Sequence, residues 1–338
     1  MLACESAQHA AYTLRPEGTL MRTSPFEHIA VVGAGAVGSF FGAMLARAGH
    51  QVTLIGRPAH VKAIESHGLQ LDLAHADGVQ TVRLHASTDF AALRTADLVL
   101  FCVKSTDTVA VAHSMAAQVA PDAIMMSLQN GVENVALIAS ALANPVIPTV
   151  VYVATEITAP GCVKHHGRGE LLIGSMQACR LGNAPEVFSR IADLFASAQV
   201  PVRISQNVMV DLWSKLLINC VFNAISGLTQ TSYGQLAGVD GIRTTQSALL
   251  REVLAVAHAD GTALDEATAM QAVALISKTM AGQKSSTAQD IARQKISEID
   301  HLNGFVVRRG QALGVPTPVN QAMVALVKLV ESTFIAPG

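Results

Sequence analysis

Charge and aromatic rings are scarce in this chain: 14% of its 338 residues are charged and 4% are aromatic. No run of Lys or Arg stands out and the formal net charge is -2. That lacks the basic footprint of a nucleic-acid-binding protein. The five cysteines, Cys4, Cys102, Cys162, Cys179 and Cys220, are scattered and form no CxxC. The pattern predicts free thiols in a reducing, cytoplasmic compartment rather than a disulfide framework. No HExxH appears, and no metal site is expected. Residues 1–24 lack a long apolar core, which argues against a secretory signal. They show no clear periodicity, Met21 is an alternative start, and a disordered or loosely attached extension is expected. The uncharged stretches 29–46 and 216–239 are interrupted by Gly, Ser, Asn, Gln and Thr. They read as buried elements of a protein without a membrane span.

What is present is a strand, a glycine turn and an apolar helix in immediate succession. Residues 28–32 predict a strand, Gly33-Ala34-Gly35-Ala36-Val37-Gly38 the turn, and residues 39–48 the helix, closed by Gly49. A second strand follows over 51–55. This is GxGxxG in a βαβ setting, the arrangement that binds a dinucleotide. Gly33 permits the tight turn, Gly35 lets a pyrophosphate approach the backbone, and Gly38 lets helix and strand pack closely. The helix start offers free N–H groups and partial positive charge. NAD-binding folds usually place an acid after the second strand, to hold the ribose 2′-hydroxyl. This chain has Gly56-Arg57 instead. A guanidinium binds a 2′-phosphate bidentately, which favours NADP(H); the alternative for Arg57 is an ordinary surface arginine.

Alternation then continues. A short helix is predicted over 60–67, strands over 69–73 and 79–85 joined through Asp77-Gly78, and further strands over 97–103, 123–128, 146–158, 162–173 and 200–204, with a helix over 185–196. Lys104 and Asn130 fall at the carboxyl ends of two strands, where open α/β sheets bind ligands. A solvated lysine and a turn-forming Asn-Gly are the plainer readings. From about 207 onward only helices are predicted, over 208–226, 238–259, 265–281, 288–313 and 319–335. The fold class expected is therefore α/β, an N-terminal Rossmann-type dinucleotide-binding domain (25–205) followed by an all-helical C-terminal domain (206–338).

The first of those helices carries Lys215, Asn219 and Asn223 at i, i+4 and i+8, in line on one face among Leu216, Leu217, Ile218, Val221 and Phe222. A cation and two amides on a mostly buried helix need partners. A polar substrate in the cleft between domains is one answer; solvent for the lysine and backbone bonds for the amides are another. Further along, Ser285-Ser286 and Glu298-Ile299-Asp300 add polar candidates, although Glu298 and Asp300 read most simply as a solvated surface.

These motifs, in this order and spacing, give the chain its likeness to a known family. It resembles the ketopantoate reductases (2-dehydropantoate 2-reductases) over residues 27–331. The resemblance is carried by GAGAVG at 33–38, Gly56-Arg57, the strand ending in Lys104, and Leu128-Gln129-Asn130-Gly131. It extends through Trp213-x-Lys215-Leu216-x-x-Asn219-x-x-x-Asn223, Ser286, and Glu298-Ile299-Asp300-x-x-Asn303-Gly304. It implies NADPH-dependent reduction of a small 2-oxo acid, ketopantoate to pantoate in pantothenate biosynthesis. Gly33 to Gly38, including Ala34, Ala36 and Val37, would hold the pyrophosphate and Arg57 the 2′-phosphate. Lys104 and Asn130 would lie near the nicotinamide ribose, with the backbone of Ala154 bordering the cofactor. Lys215 would be the catalytic lysine. Asn130, Asn219, Asn223 and Ser286 would bind substrate, and Glu298 would contact the bound molecules and order the site. A lysine ammonium stabilises charge building on a ketone oxygen and supplies its proton, and a carboxylate such as Glu298 helps to keep it charged.

Tyr233 stands where pantoate-specific members can carry another substrate-binding Asn. Reduction of a different 2-oxo acid, oxidation of a β-hydroxyacid, and non-catalytic sensing of NADP(H) are the other readings. A homodimer is compatible with the apolar helical half, but helices also need burial within a monomer.

Overall fold

The computed structural model describes residues 12–14, 20–22, 26–75, 78–176, 179–181 and 184–334. Strands β1 (Tyr12–Leu14) and β2 (Leu20–Arg22) pair antiparallel; the rest of the extension expected over 1–24 lies outside the described residues. The main body begins with β3 (His28–Val32), α1 (Ala36–Arg47), β4 (Gln51–Ile55), α2 (Pro58–His67), β5 (Leu69–Asp72), β6 (Val79–Val82) and β7 (His85–Ser87). Next come β8 (Leu98–Phe101), α3 (Thr108–Met115), β9 (Ile124–Ser127), α4 (Asn134–Ala141), β10 (Val146–Ala159), β11 (Cys162–Ile173), α5 (Pro185–Ser197) and β12 (Val202–Ile204). The remaining elements are helical: α6 (Val208–Thr229), α7 (Tyr233–Ala237), α8 (Asp240–Ala259), α9 (Glu266–Thr279), α10 (Ser286–Ala292), α11 (Asn303–Leu313) and α12 (Pro318–Ser332). The expected class, a Rossmann-type sheet followed by helices, is the observed one.

The sheet runs β6-β5-β11-β10-β9-β8-β3-β4-β7, with β12 beside β11. Strands β10, β9, β8, β3, β4 and β7 are parallel, while β10–β11 and β5–β6 are antiparallel. The sequence predicts one strand over 79–85. The structure breaks it at Arg83 and Leu84, and β6 and β7 lie at opposite ends of the strand order. Two residues cannot span a flat sheet of this width, since strands stand about 4.8 Å apart. The sheet therefore curls around α1, which contacts β3, β4, β5, β6, β10 and β11. This is why α1 is buried without interruption from Gly38 to Leu45 instead of along one stripe. Asp77, in the predicted turn, lies outside the described residues; Gly78 takes the left-handed backbone that such a turn requires, at φ +78°.

The β10–β11 ribbon serves two cores. Val151 and Leu171 point into the core around α1, whereas Val150 and Leu172 join the core of the helical part, as the period of two along a strand demands. Against that second face lies α6, with Trp213, Leu216, Leu217 and Phe222 nearly or fully buried. Each such side chain is worth about 2–3 kcal/mol on burial. By length and composition α6 is apolar enough to cross a membrane, yet it packs against α8, α10 and α12 as their common centre.

The single helix predicted over 288–313 is a correction. The chain leaves α10 after Ala292, takes a left-handed turn at Gln294 (φ +52°), forms a 3-10 turn at Ile299–His301, and restarts as α11. Apolar spacing alone does not show the break, because Ile299, Leu302 and Phe305 keep a helical period across it.

Glycine positions in the turn differ in the space above them. A Cβ on Gly38 would sit 2.2 Å from the Gly33 carbonyl oxygen, whereas one on Gly35 would meet nothing within 4 Å. Gly38→Ala is expected to destabilise by about 2–3 kcal/mol, an overpacking cost. Gly35→Ala should stay within about 1 kcal/mol, the scale of an N-cap change. Denaturant melts of the two variants check this contrast, and equal losses would contradict it.

Candidate active site

Gly33 ends β3 in a left-handed conformation, at φ +100°. The N–H groups of Gly33 and Ala34 both donate to Ile55 O, at 2.9 and 3.0 Å, pinning the turn to the end of β4. Helix α1 then begins with no side-chain cap. The N–H groups of Ala36, Val37 and Gly38 are left pointing out of its positive end. Open space above Gly35 completes a cradle that fits a pyrophosphate. Gly56 packs against Ala34, where a Cβ would lie 2.7 Å from the alanine Cβ. Arg57 follows as the N-cap of α2; it is exposed and has no side-chain hydrogen bond among the described residues.

Across the carboxyl ends of β8 and β9 lies a connected polar group. Lys215 Nζ donates to Val151 O at 2.5 Å and to Asn130 Oδ1 at 2.9 Å. Asn130 Nδ2 donates to Glu298 Oε2 at 3.1 Å, and Glu298 Oε1 accepts from the Ser105 N–H at 2.8 Å. Behind Asn130, its carbonyl oxygen accepts from Ser105 Oγ and Asn134 Nδ2, so the Asn-Gly turn is held from both sides. Gly131 takes φ +101°, and a Cβ there would sit 3.1 Å from His301 O. Glu298 is thus a correction to the residue-level reading: it is not a solvated surface acid but joins the two halves of the molecule. Lys215 is half-buried, and burial lowers its pKa from the ordinary lysine value to about 8, with Glu298 acting against that shift and Arg168 adding to it. An ammonium has three N–H donors. Two are used here, and the third has no partner among the described residues.

Lys104 sits one step aside. Its Nζ donates to Ile296 O at 3.1 Å and pairs with Asp290 at 2.8 Å, bridging to α10 and the segment after it. Burial raises the Asp290 pKa, opposed by its bond to Lys104. Asn219 is half-buried and Asn223 is 3% exposed. Neither side chain is hydrogen-bonded among the described residues, so both lie on the Lys215 face without protein partners. Ser286 is exposed at the start of α10, capped by its neighbour Ser285. Ala154 lies between two irregularities of the β10–β11 ladder, paired with Gly167. Tyr233 is packed on Phe222 with centroids 4.7 Å apart, and burial pushes its hydroxyl up to about 12.

Sequence reasoning missed Tyr152, Arg168 and Ser105. The Arg168 guanidinium stacks on the Tyr152 ring at 4.3 Å, and Lys215 Nζ lies 5.8 Å from the same ring. Arg168 itself is left-handed, at φ +61°, between Gly167 and Gly169, and is paired with Glu170. The Gly-Arg-Gly triplet was the available signal. A separate cavity of about 360 Å³, lined by Phe40, Met44, His165 and Arg168 among others, opens beside α1 and does not include Lys215. Among the described residues no group of three or more His, Cys, Asp or Glu is placed to hold a metal.

A glycine-turn nucleotide fold joined to a helical lobe, with a lysine where the two meet, belongs to the nicotinamide-dinucleotide-dependent oxidoreductases. Residues 29–178 match the family described as Ketopantoate reductase PanE/ApbA, and residues 207–331 match its C-terminal part; the chain belongs to that family. It is 32% identical over 301 residues to the 2-dehydropantoate 2-reductase of Caulobacter vibrioides, covering 88% of this chain and 97% of that one. A solved PanE/ApbA family ketopantoate reductase from Ralstonia eutropha JMP134 superposes with a TM-score of 0.84 at 48% identity, over 91% of this chain and 99% of its own. D-mandelate dehydrogenase with NADH and anilino(oxo)acetate superposes with a TM-score of 0.83 over 91% and 99% of the two chains. Its 23% identity speaks to the fold alone.

The lowered pKa has a definite sign. Between about pH 8 and 10.5 the unfolded chain keeps the Lys215 proton and the folded one gives it up. The cost of burying this ammonium is therefore full below pH 8 and fades as pH rises to 10.5. Lys215→Met is expected to gain stability relative to the parent at pH 7, and the gain should shrink by pH 10. NMR of methyl-labelled lysines should find Lys215 titrating near 8, higher in Arg168→Met and lower in Glu298→Gln. A parent value near 10.5 would contradict the burial argument.

Proposed function

We propose that the chain reduces 2-dehydropantoate to pantoate with NADPH, in pantothenate biosynthesis, with Lys215 as general acid. The observation that carries this reading is the hydrogen-bonded run Lys215–Asn130–Glu298 at the carboxyl ends of β8 and β9. Residues 25–205 would bind the dinucleotide, and residues 206–338 would supply the lysine and the substrate amides. The cradle of Gly33 to Gly38 would hold the pyrophosphate and Arg57 the 2′-phosphate. When bound, the dinucleotide supplies the hydride. Lys215 holds a proton toward the ketone oxygen through its unused N–H, stabilises the charge that gathers there, and gives up the proton. A pKa of about 8 suits this work near neutral pH: the group is mostly protonated, yet a better acid than a solvated lysine. Asn130 and Val151 O fix its direction. Asn219, Asn223 and Ser286 would take the carboxylate and hydroxyl groups of the substrate, and Lys104 and the Ala154 backbone would border the nicotinamide ribose.

Tyr233 favours a second reading of the substrate alone. Its ring is committed to the helical core, where an additional amide would have offered a hydrogen bond, so a 2-oxo acid with fewer polar groups is the alternative.

The test is the loss of reduced-nicotinamide absorbance with ketopantoate, NADPH and NADH in parallel. Turnover with NADPH preferred is expected. Lys215→Ala should lower kcat by about 10²–10⁴-fold, the span of a lost general acid; near-full activity would sink the assignment. Arg57→Ala should weaken NADPH by about 10–100-fold, the worth of one or two bonds to a charged group, while leaving NADH unchanged. Gly35→Ala should weaken both. Turnover with another 2-oxo acid and none with ketopantoate would keep the mechanism and change the substrate.

A further inference from the structure

Glu331 is a carboxylate 3% exposed on the last helix, and its partners among the described residues are Ser297 and Lys328 rather than Lys215. An ionised carboxylate so deeply placed costs several kcal/mol unless its surroundings compensate. The compensation here is narrow. Glu331 Oε1 accepts from both Ser297 N–H at 2.8 Å and Ser297 Oγ at 2.6 Å. Among the described residues its Oε2 has no hydrogen bond, and the Lys328 ammonium lies 3.7 Å away. That arrangement serves one purpose well: it immobilises the residue directly before Glu298.

The other side of Glu298 is held by the same helix. Lys328 Nζ donates to Asp300 Oδ2 at 2.5 Å. Between the two clamps, Ser297 Oγ also accepts from Ile299 N–H at 3.3 Å, and Ile299 is buried with Val327 and Ala224. The backbone at 297–300 has no α-helical ladder to steady it, because the helix breaks there. Its aim depends on α12. Glu298 in turn meets Asn130 and Ser105, and Asn130 meets Lys215.

We propose that Glu331 is a positioning residue for the reaction: by fixing Ser297 it aims Glu298 at Asn130 and so sets the direction of Lys215. This rests on the lysine reading above. The charged groups facing Glu331 and Lys215 are Lys328 on one side and Glu298 and Arg168 on the other.

Glu331→Met keeps the volume and removes the acceptor. It is expected to lower kcat by about 10–100-fold, the usual effect of a small misplacement at a site, with KM for NADPH unchanged. The Lys215 titration should move downward, because the loosened Glu298 no longer supports the charge. Glu331→Gln keeps an oxygen for Ser297 and should recover most of both. Should Glu331→Met fail to fold, Ser297→Ala is read in its place, with a smaller loss in the same directions. A folded Glu331→Met, or Ser297→Ala in its stead, with the parent's kcat and Lys215 titration overturns the proposal. The titration needs no turnover. It therefore separates failure of this proposal from failure of the lysine mechanism, which an active Lys215→Ala would reveal.

Discussion

An ammonium withdrawn from bulk water must find hydrogen-bond acceptors or lose its proton. Burial lowers Lys215 to about 8 against the opposing charge of Glu298, and the groups that surround its ammonium come from separate parts of the chain. Val151 gives a backbone carbonyl from β10, Asn130 a side-chain oxygen from the turn after β9, and Glu298 a negative charge from the segment after α10. The sheet and the helical lobe meet at this cation, as they do at the Lys104–Asp290 pair. The hydrogen bonds of Lys215 hold only if β10, the Asn-Gly turn and the α10–α11 break are all in register.

Strand β10 is the mechanical link. It carries one core on each face, and its ladder with β11 slips between Tyr152 and Val153 and again between Ala154 and Thr155. Bulges re-aim side chains and strand direction locally. The irregular stretch lies directly after the carbonyl that Lys215 uses, and opposite it Arg168 stands in left-handed conformation over the Tyr152 ring. Strain of that kind costs about 1–3 kcal/mol and persists only where the surroundings impose it. Here two flanking glycines permit it, and the guanidinium is held by Glu170 and by the Tyr152 ring. The result is a second cation near the first, which lowers the proton affinity of Lys215 as Glu298 raises it.

What could be read in the sequence was whatever short spacing decides. GxGxxG between two strands, and Lys215, Asn219 and Asn223 four apart on a helix, are local patterns, and their geometry follows from helix and strand periods alone. Glu298 was named by the family resemblance but not by its local pattern, because its burial depends on a helix break that keeps the apolar period and on a carboxylate more than thirty positions later. The curl of the sheet was hidden for a similar reason: 79–85 is one β-type run, and only the enclosure of α1 divides it between two edges. Arg168 lay in a triplet whose glycines signal a bend but not what the bend faces. Arg57 is exposed and unpaired among the described residues, which suits both a phosphate ligand and a plain surface residue.

The amides beyond Lys215 bear on what the site accepts. Asn219 and Asn223 follow the lysine by one and two turns, about 6 and 12 Å along the axis at 1.5 Å per residue. Neither side chain has a protein hydrogen bond among the described residues, although Asn223 is nearly closed off from solvent. Buried amides are rarely left unmet, since each costs about 1–3 kcal/mol unsatisfied. Water or a ligand must meet them. On the proposed reading, a molecule whose ketone reaches Lys215 would extend its carboxylate and any hydroxyl along this strip, within about 12 Å. A monofunctional ketone would leave both amides unmet, and a long acyl chain would set apolar surface against them. On that reading the strip favours short, multiply oxygenated acids.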